Sequence, residues 1–175
     1  IHIGPNVYSS VTNPIVSTGV TNVSVADLAS GQVKWSLRKN TNSLDVTGNG
    51  TLAPVVYDSN DNVFSRIPVT ADLAAGTVTI PVSAHYQITA SVEIQSGNGA
   101  TSGVIEIQSN GVAISRRKYD FDGSMGDITM EVSAACEFLA AGAVVRVVAS
   151  LTGIGTDTAD FTARPLGSEF FGVNV

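Results

Sequence analysis

From His85 to Gln95 apolar and polar residues alternate without a break. Tyr86, Ile88, Ala90, Val92 and Ile94 hold one parity, and His85, Gln87, Thr89, Ser91, Glu93 and Gln95 the other. A period of two sends successive side chains to opposite faces, so the stretch predicts a strand with one dry face and one wet face. Asp127–Phe138 repeats the pattern, with Ile128, Met130, Val132, Ala134, Cys136 and Phe138 set against Asp127, Thr129, Glu131, Ser133 and Glu137. Two long half-buried strands need partners, and antiparallel sheets packed face to face supply them. Cys136 falls on the apolar parity and is expected to be a buried spectator thiol.

Shorter runs extend the pattern. Val104–Ser109 and Val112–Arg116 flank Asn110-Gly111, the strongest short-range signal for a hairpin. Gly76–Val82 sets Val78, Ile80 and Val82 on one face, while Leu52–Tyr57 and Val63–Val69 flank the polar stretch 58–62. That stretch has the look of a calcium loop but lacks its Gly and distal Glu, so it is read as a turn. Asp120, Asp122 and Asp127 lie close together around a second turn. Carboxylates so grouped suit a hard cation, but Asp is also an ordinary turn residue, and no metal site is assigned. Ile1–Leu52 differs in texture, with short apolar groups such as Val33, Trp35 and Leu37 between polar turns. The reading is a β-rich neck or base over residues 1–50 and a head domain over residues 51–175, divided near Gly48–Ala53.

Two segments break the one-dry-face rule. Ala143–Leu151 carries Val144, Val145, Val147 and Val148, apolar on both parities, and the last segment sets Phe171, Val173 and Val175 against Phe170. A two-sheet sandwich buries only one face of each strand, so a second copy of the chain is expected to cover the other. The predicted interface is Val144, Val148, Phe170, Phe171 and Val173.

Composition narrows the function. The 175 residues are 43% hydrophobic and 14% charged, which favours strands and turns in one domain plus an appendage. A net charge of −6 with nine Lys and Arg argues against a nucleic-acid partner. No apolar run approaches the ~20 residues of a membrane span, and a single Cys forms no intrachain disulfide. The chain starts at Ile1 without a Met or signal features, which reads as a fragment or processed product. Of two histidines, His2 is terminal and His85 sits on a polar strand face. No metal-ligand spacing, phosphate-cradling loop or nucleophile motif is present. Glu93 and Glu106 fall on solvent parities, as surface carboxylates do. The chain therefore reads as a non-enzyme with no catalytic residue, no metal and no cofactor.

The order of landmarks resembles the trimeric jelly-roll domain shared by complement-C1q-like and tumour-necrosis-factor-like proteins. The residues that carry it are Thr77–Val82, Tyr86 opening the long strand, and the Asn110-Gly111 hairpin. Leu139-Ala140-Ala141-Gly142 leading into Val144–Val148 and the closing 168–173 run complete it. Ala84 and Ala143 stand where that family usually has Gly and an acidic residue, which separates the chain from animal C1q proper and from its axial calcium site. The low charge and the short β-rich neck also look like the head of a viral or phage spike of the tectivirus type. The resemblance implies an all-β antiparallel sandwich and a homotrimer at a virion vertex. It further implies binding to a host-cell receptor, protein or glycan, and to other vertex proteins through the N-terminal side.

Loops on a rigid sandwich are the natural contacts for such a receptor. They offer Asp58, Asn60 and Asn62, Asn98, and Tyr119, Asp120 and Asp122, with the basic triplet Arg116, Arg117 and Lys118 nearby. The alternative is an extracellular C1q-like interaction module unconnected with a virus. A third reading, a carbohydrate-binding sandwich, would use Tyr119 or Trp35 to stack on sugar, although a lone Trp in a strand is more often core.

Overall fold

The two alternating stretches become β7 (Ala84–Gln95) and β10 (Ile128–Leu139), paired antiparallel from Ala84 opposite Leu139 to Ile94 opposite Ile128. The computed structural model describes residues 33–60, 67–95, 97–124, 126–163 and 168–175. Their other strands are β1 (Lys34–Arg38), β2 (Ser43–Thr47), β3 (Ala53–Pro54), β4 (Ser59–Asn60), β5 (Thr70–Asp72) and β6 (Thr77–Thr79). After β7 come β8 (Ser102–Ser109) and β9 (Val112–Asp120), and after β10 come β11 (Val144–Thr152), β12 (Ala159–Phe161) and β13 (Glu169–Asn174). The larger sheet runs β2-β12-β7-β13-β1-β4, with β10 on the other edge of β7. The smaller runs β5-β6-β11-β8-β9, with β3 also paired to β11. All the pairings are antiparallel, and the result is the β-sandwich expected from the periodicity.

The core lies between the sheets and is filled by the apolar parities. Ile88, Val92 and Ile94 come from β7, Ile105 and Ile107 from β8, and Val145, Val147 and Leu151 from β11. Trp35 packs against Tyr86 and Phe170 with ring centroids 5.8 Å away in both cases, and Tyr57 stacks on Phe170 at 5.9 Å. Gly172 on β13 makes room for that indole, because a Cβ there would fall 1.9 Å from Trp35 Cζ2. The β8–β9 hairpin turns at Asn110 and Gly111 with φ of 51° and 82°. Both central residues of a type I′ turn need positive φ, which is why the Asn-Gly pair was legible as a hairpin.

Several expectations need correction. Residues 34–47, read as neck, are strands of the larger sheet: β1 pairs with β13 and β2 with β12. Residues 32–175 accordingly form one unit. Residues 1–32 lie outside the described residues, as do Asn62 and most of the Val63–Val69 run.

Phe170 is fully buried within a single chain, between Trp35 and Tyr57, so it needs no second copy to cover it. Val148 does face away from the core, yet it too is buried within one chain, opposite Glu106, which is itself only 4% exposed. Glu106 is thus not the surface carboxylate its parity suggested. Cys136 is exposed, with φ of 60°, at a bulge where the β10 register slips between Ala134 and Glu137. One extra residue in a strand reverses the parity beyond it, and for that reason Phe138 also points outward.

The outer face of the larger sheet and its groove

Registers fix which side chains share the outer face of the larger sheet. Phe138 and His85 are cross-strand partners, next come Gln87 and Val173, then Ser133, Thr89 and Phe171, then Glu131, Ser91 and Glu169. The first end is apolar: Phe138 is 61% exposed and Val175 66%. The His85 ring meets Phe138 edge-on at 5.4 Å, its Nδ1 lies 3.2 Å from the Cys136 carbonyl oxygen, and the Val175 N–H donates to the His85 carbonyl.

Toward the other end a groove of about 520 Å³ crosses the face. Its floor is the outward side chains of Thr89 and Ser91 on β7 and of Glu131 and Ser133 on β10. Glu169 and Phe171 on β13 form one wall, and Ser115, Arg116 and Arg117 on β9 form the other. Strand β9 belongs to the smaller sheet, and it reaches the edge of β10 through side chains. The Ser115 hydroxyl donates to the Ser133 carbonyl at 2.7 Å. The Tyr119 hydroxyl donates to the Glu131 carbonyl at 2.9 Å and accepts from the Glu131 N–H at 2.8 Å, taking both roles of a neighbouring strand. These bonds cap an edge that would otherwise offer unpaired backbone groups.

The basic triplet does not form a basic patch, because alternation sends its members to different partners. Arg116 Nε lies 3.3 Å from Glu106 Oε1, Arg117 sits over the Tyr119 ring at 4.9 Å, and Lys118 pairs with Asp120 at 3.1 Å. The first contact belongs to a polar ladder on the outside of the smaller sheet. There Arg146 Nε donates to Gln108 Oε1 (3.0 Å), and Gln108 Nε2 donates to Glu106 Oε2 (2.9 Å). Sequence reasoning missed Glu106 because its burial comes from cross-strand neighbours on the same face, which no pattern within β8 reveals.

Of the other predicted contacts, Asn98 and Asp122 lie where β7 ends, whereas Asp58 and Asn60 lie at the β4 edge of the larger sheet. Asn98 sits in a loop whose Gly97 and Gly99 N–H groups donate to the carbonyls of Gly126 and Gly123, tying it to the loop that holds Asp122. Asp122 Oδ1 accepts from the Ser124 hydroxyl at 2.6 Å and its N–H at 2.9 Å, and these bonds hold its pKa below the usual carboxylate range. Asp58 accepts from the Asn40 N–H at 2.6 Å and from the Thr41 hydroxyl. Partial burial works to raise its pKa, but those bonds and the Lys39 charge together bring it below the ordinary value. Its carboxylate is thus engaged as a staple, and the next two residues form β4 where the sequence read a turn. Asn60 pairs through β4 with Leu37.

Val144 projects from the outside of the smaller sheet, so it shares no surface with Phe171 and Val173. Trp35 is buried in the core and cannot meet a ligand. Among the described residues no three His, Cys, Asp or Glu side chains come together in a group fit for a metal.

In fold the chain is similar to Eiger TNF from S. frugiperda. The identity is 15% and the TM-score 0.61, over 83% of this chain and 93% of that one. It is also similar to murine APRIL at pH 5.0, with 14% identity and a TM-score of 0.58 over 82% and 99%. No family model and no curated protein matches the chain. The sandwich is therefore a jelly roll of the tumour-necrosis-factor type, as the landmark order implied.

Proposed function

We propose that the chain is the head of a homotrimeric recognition module that presents its loops to a receptor and catalyses nothing. The observation that carries this reading is the apolar end of the larger sheet's outer face. Phe138 and Val175 stand well exposed beside Val173, on a sheet face that no helix covers among the described residues. Aromatic and branched side chains grouped on an open sheet are a surface for another protein, and the simplest supply of one is a second copy. The resemblance to trimeric jelly rolls favours three copies. Val173 and Phe171 keep their place as outward residues of this face, whereas Phe170 and Val148 serve the single chain.

Within that reading the setting is a virus or phage spike that attaches to a host-cell receptor, with other vertex proteins held through the N-terminal side. The short loops around Asn98, Asp120 and Asp122 and the stapled loop at Asp58 are the receptor contacts, stiffened by the bonds described above. The test is competition. Purified head added to susceptible cells at saturating concentration is expected to block virus adsorption. Undiminished adsorption of virus would discard the attachment setting and favour an extracellular interaction module built on the same trimer.

A further inference from the structure

We infer that Asn110 is a site of spontaneous covalent modification, its side-chain amide being lost through attack by the backbone nitrogen of Gly111. It does not depend on the recognition reading above, because it needs no ligand and no partner. Asn followed by Gly is the pair in which that attack is least hindered, since no Cβ on the second residue stands beside the nitrogen. The chain holds three such pairs, Asn49-Gly50, Asn98-Gly99 and Asn110-Gly111, and all three asparagines are exposed. Sequence alone makes them equivalent, and the fold separates them.

A backbone nitrogen that donates a hydrogen bond is held in place and must be freed before it can attack. The Gly50 N–H donates to the Leu151 carbonyl at 2.8 Å, and the Gly99 N–H to the Gly123 carbonyl at 2.9 Å. The Asn49 side chain is tied as well, with Nδ2 donating to Asp157 Oδ2 at 2.7 Å and Oδ1 accepting from the Thr51 N–H at 2.7 Å. The Gly111 N–H has no acceptor among the described residues, and a Cβ built on Gly111 would meet nothing within 4 Å. Asn110 Oδ1 accepts from the Val144 N–H at 2.9 Å, which places a donor on the oxygen where negative charge gathers as Cγ is attacked. The tip must open for the two atoms to meet. Opening there disturbs little, because the ladder of the hairpin begins at the Ser109–Val112 pair and leaves Asn110 and Gly111 outside it.

The Gly111 nitrogen gives its proton to solvent and bonds to Asn110 Cγ. The Cγ–Nδ2 bond breaks, ammonia departs, and a cyclic imide remains. Water then opens the imide at one carbonyl or the other. Cleavage at Cγ leaves aspartate, and cleavage of the main-chain bond leaves isoaspartate, with an extra carbon in the backbone. At this end of the sandwich three segments meet: the Asn110 N–H donates to the Val144 carbonyl at 2.8 Å, the Gly142 N–H to the Ile80 carbonyl at 2.8 Å, and the Ala141 N–H to the Ser83 hydroxyl at 2.9 Å. None of residues 80–84, 109–114 and 139–145 is charged, so the new carboxylate brings the first charge among them. Aspartate keeps the turn, since Asp-Gly suits type I′ as Asn-Gly does. Isoaspartate lengthens a turn that closes with two residues, and the bonds from residue 110 to Val144 are lost with it. The hairpin belongs to the smaller sheet, away from the face that other copies cover, so the tip stays open to water in the assembly.

The experiment is ageing of the intact chain in mildly alkaline buffer, followed by peptide mapping with mass spectrometry. The map reads amide loss at each of the three pairs and separates aspartyl from isoaspartyl peptides. Asn110 is expected to convert about tenfold faster than Asn49 and Asn98, since each of those must first give up at least one backbone hydrogen bond. In urea the three rates should converge, because only the fold distinguishes them. Asn110→Gly, which also suits the turn, should remove the main product, while Asn49→Gln and Asn98→Gln leave it unchanged. The isoaspartyl chain is expected to melt below Asn110→Asp, which carries the same charge on an unaltered backbone. Trp35 emission verifies that each variant is folded. Conversion of Asn110 no faster than that of the other two in the folded chain, a lead that persists in urea, or an isoaspartyl chain that melts together with Asn110→Asp would overturn the inference.

Discussion

Replacing Gly172 by Ala tests the packing that fixes the central strand of the larger sheet. The added Cβ would lie 1.9, 2.2 and 2.3 Å from three atoms of the Trp35 ring, where ordinary contact needs about 3.5–4.0 Å. Trp35 cannot withdraw, because Tyr86 and Phe170 hold it on either side. Nor can the backbone yield cheaply, since β13 is hydrogen-bonded to β7 on one edge and β1 on the other. An overlap of about 1.5 Å or more in such a place belongs at or beyond the upper end of overpacking costs, about 3 kcal/mol. For a chain of this size that is a melting point lower by roughly 6–12 °C. Urea unfolding followed by the single Trp is a suitable assay, because the probe is the residue under strain. Trp35→Leu in the same chain, which removes the single Trp and is therefore followed by circular dichroism, should recover at least about 1 kcal/mol relative to additivity. As a contrast, a Cβ at Gly111 meets nothing within 4 Å, and Gly111→Ala should cost only the roughly 1–2 kcal/mol of left-handed backbone. A Gly172→Ala chain within about 0.5 kcal/mol of the parent, with Trp35 emission unchanged, would refute the packing as described.

Other substitutions probe single interactions. The buried Tyr57 hydroxyl has no hydrogen-bond partner among the described residues, so Tyr57→Phe is expected to gain about 1 kcal/mol in urea melts at pH 7. Burial, helped by the Glu169 charge, also pushes the Tyr57 pKa well up. The unfolded chain therefore loses this proton first as pH rises past about 10, stability falls there, and Tyr57→Phe should flatten that decline. Asp58 has the opposite sign. Its folded pKa is lowered, so its contribution is present above about pH 4, the unfolded value, and is lost as pH falls through the folded one; Asp58→Asn should make acid unfolding shallower. Tyr119→Phe removes both bonds to the Glu131 backbone and should cost about 1–2 kcal/mol, with faster hydrogen exchange at the Glu131 amide.

What could be read from sequence was what local rules govern. The parity of β7, the dry face of β10 as far as Ala134 and the Asn110-Gly111 turn each depend on neighbours one or two residues away. The order of strands was legible enough to suggest the jelly roll. Most of the errors come from contact between residues distant in the chain, and the rest from a bulge. Phe170 read as exposed because its cover, Trp35 and Tyr57, comes from segments more than a hundred residues earlier. Val148 read as an interface because Glu106 opposite it lies on another strand. Cys136 and Phe138 changed faces at a bulge that leaves no mark in the hydrophobic pattern. The groove is the sharpest case, since its walls come from β9 and β13, strands of different sheets, and only the meeting of two sheet edges brings Arg117 within reach of the face that holds Phe171.

The central claim is that the apolar end of the larger sheet's outer face is covered by other copies of the chain. Sedimentation equilibrium at micromolar concentration tests it directly. The account predicts a mass near three times 18.0 kDa, reduced to a single chain by Phe138→Asp with Trp35 emission intact. A parent chain that stays at 18.0 kDa throughout that range, with Phe138 and Val175 in water, would contradict it.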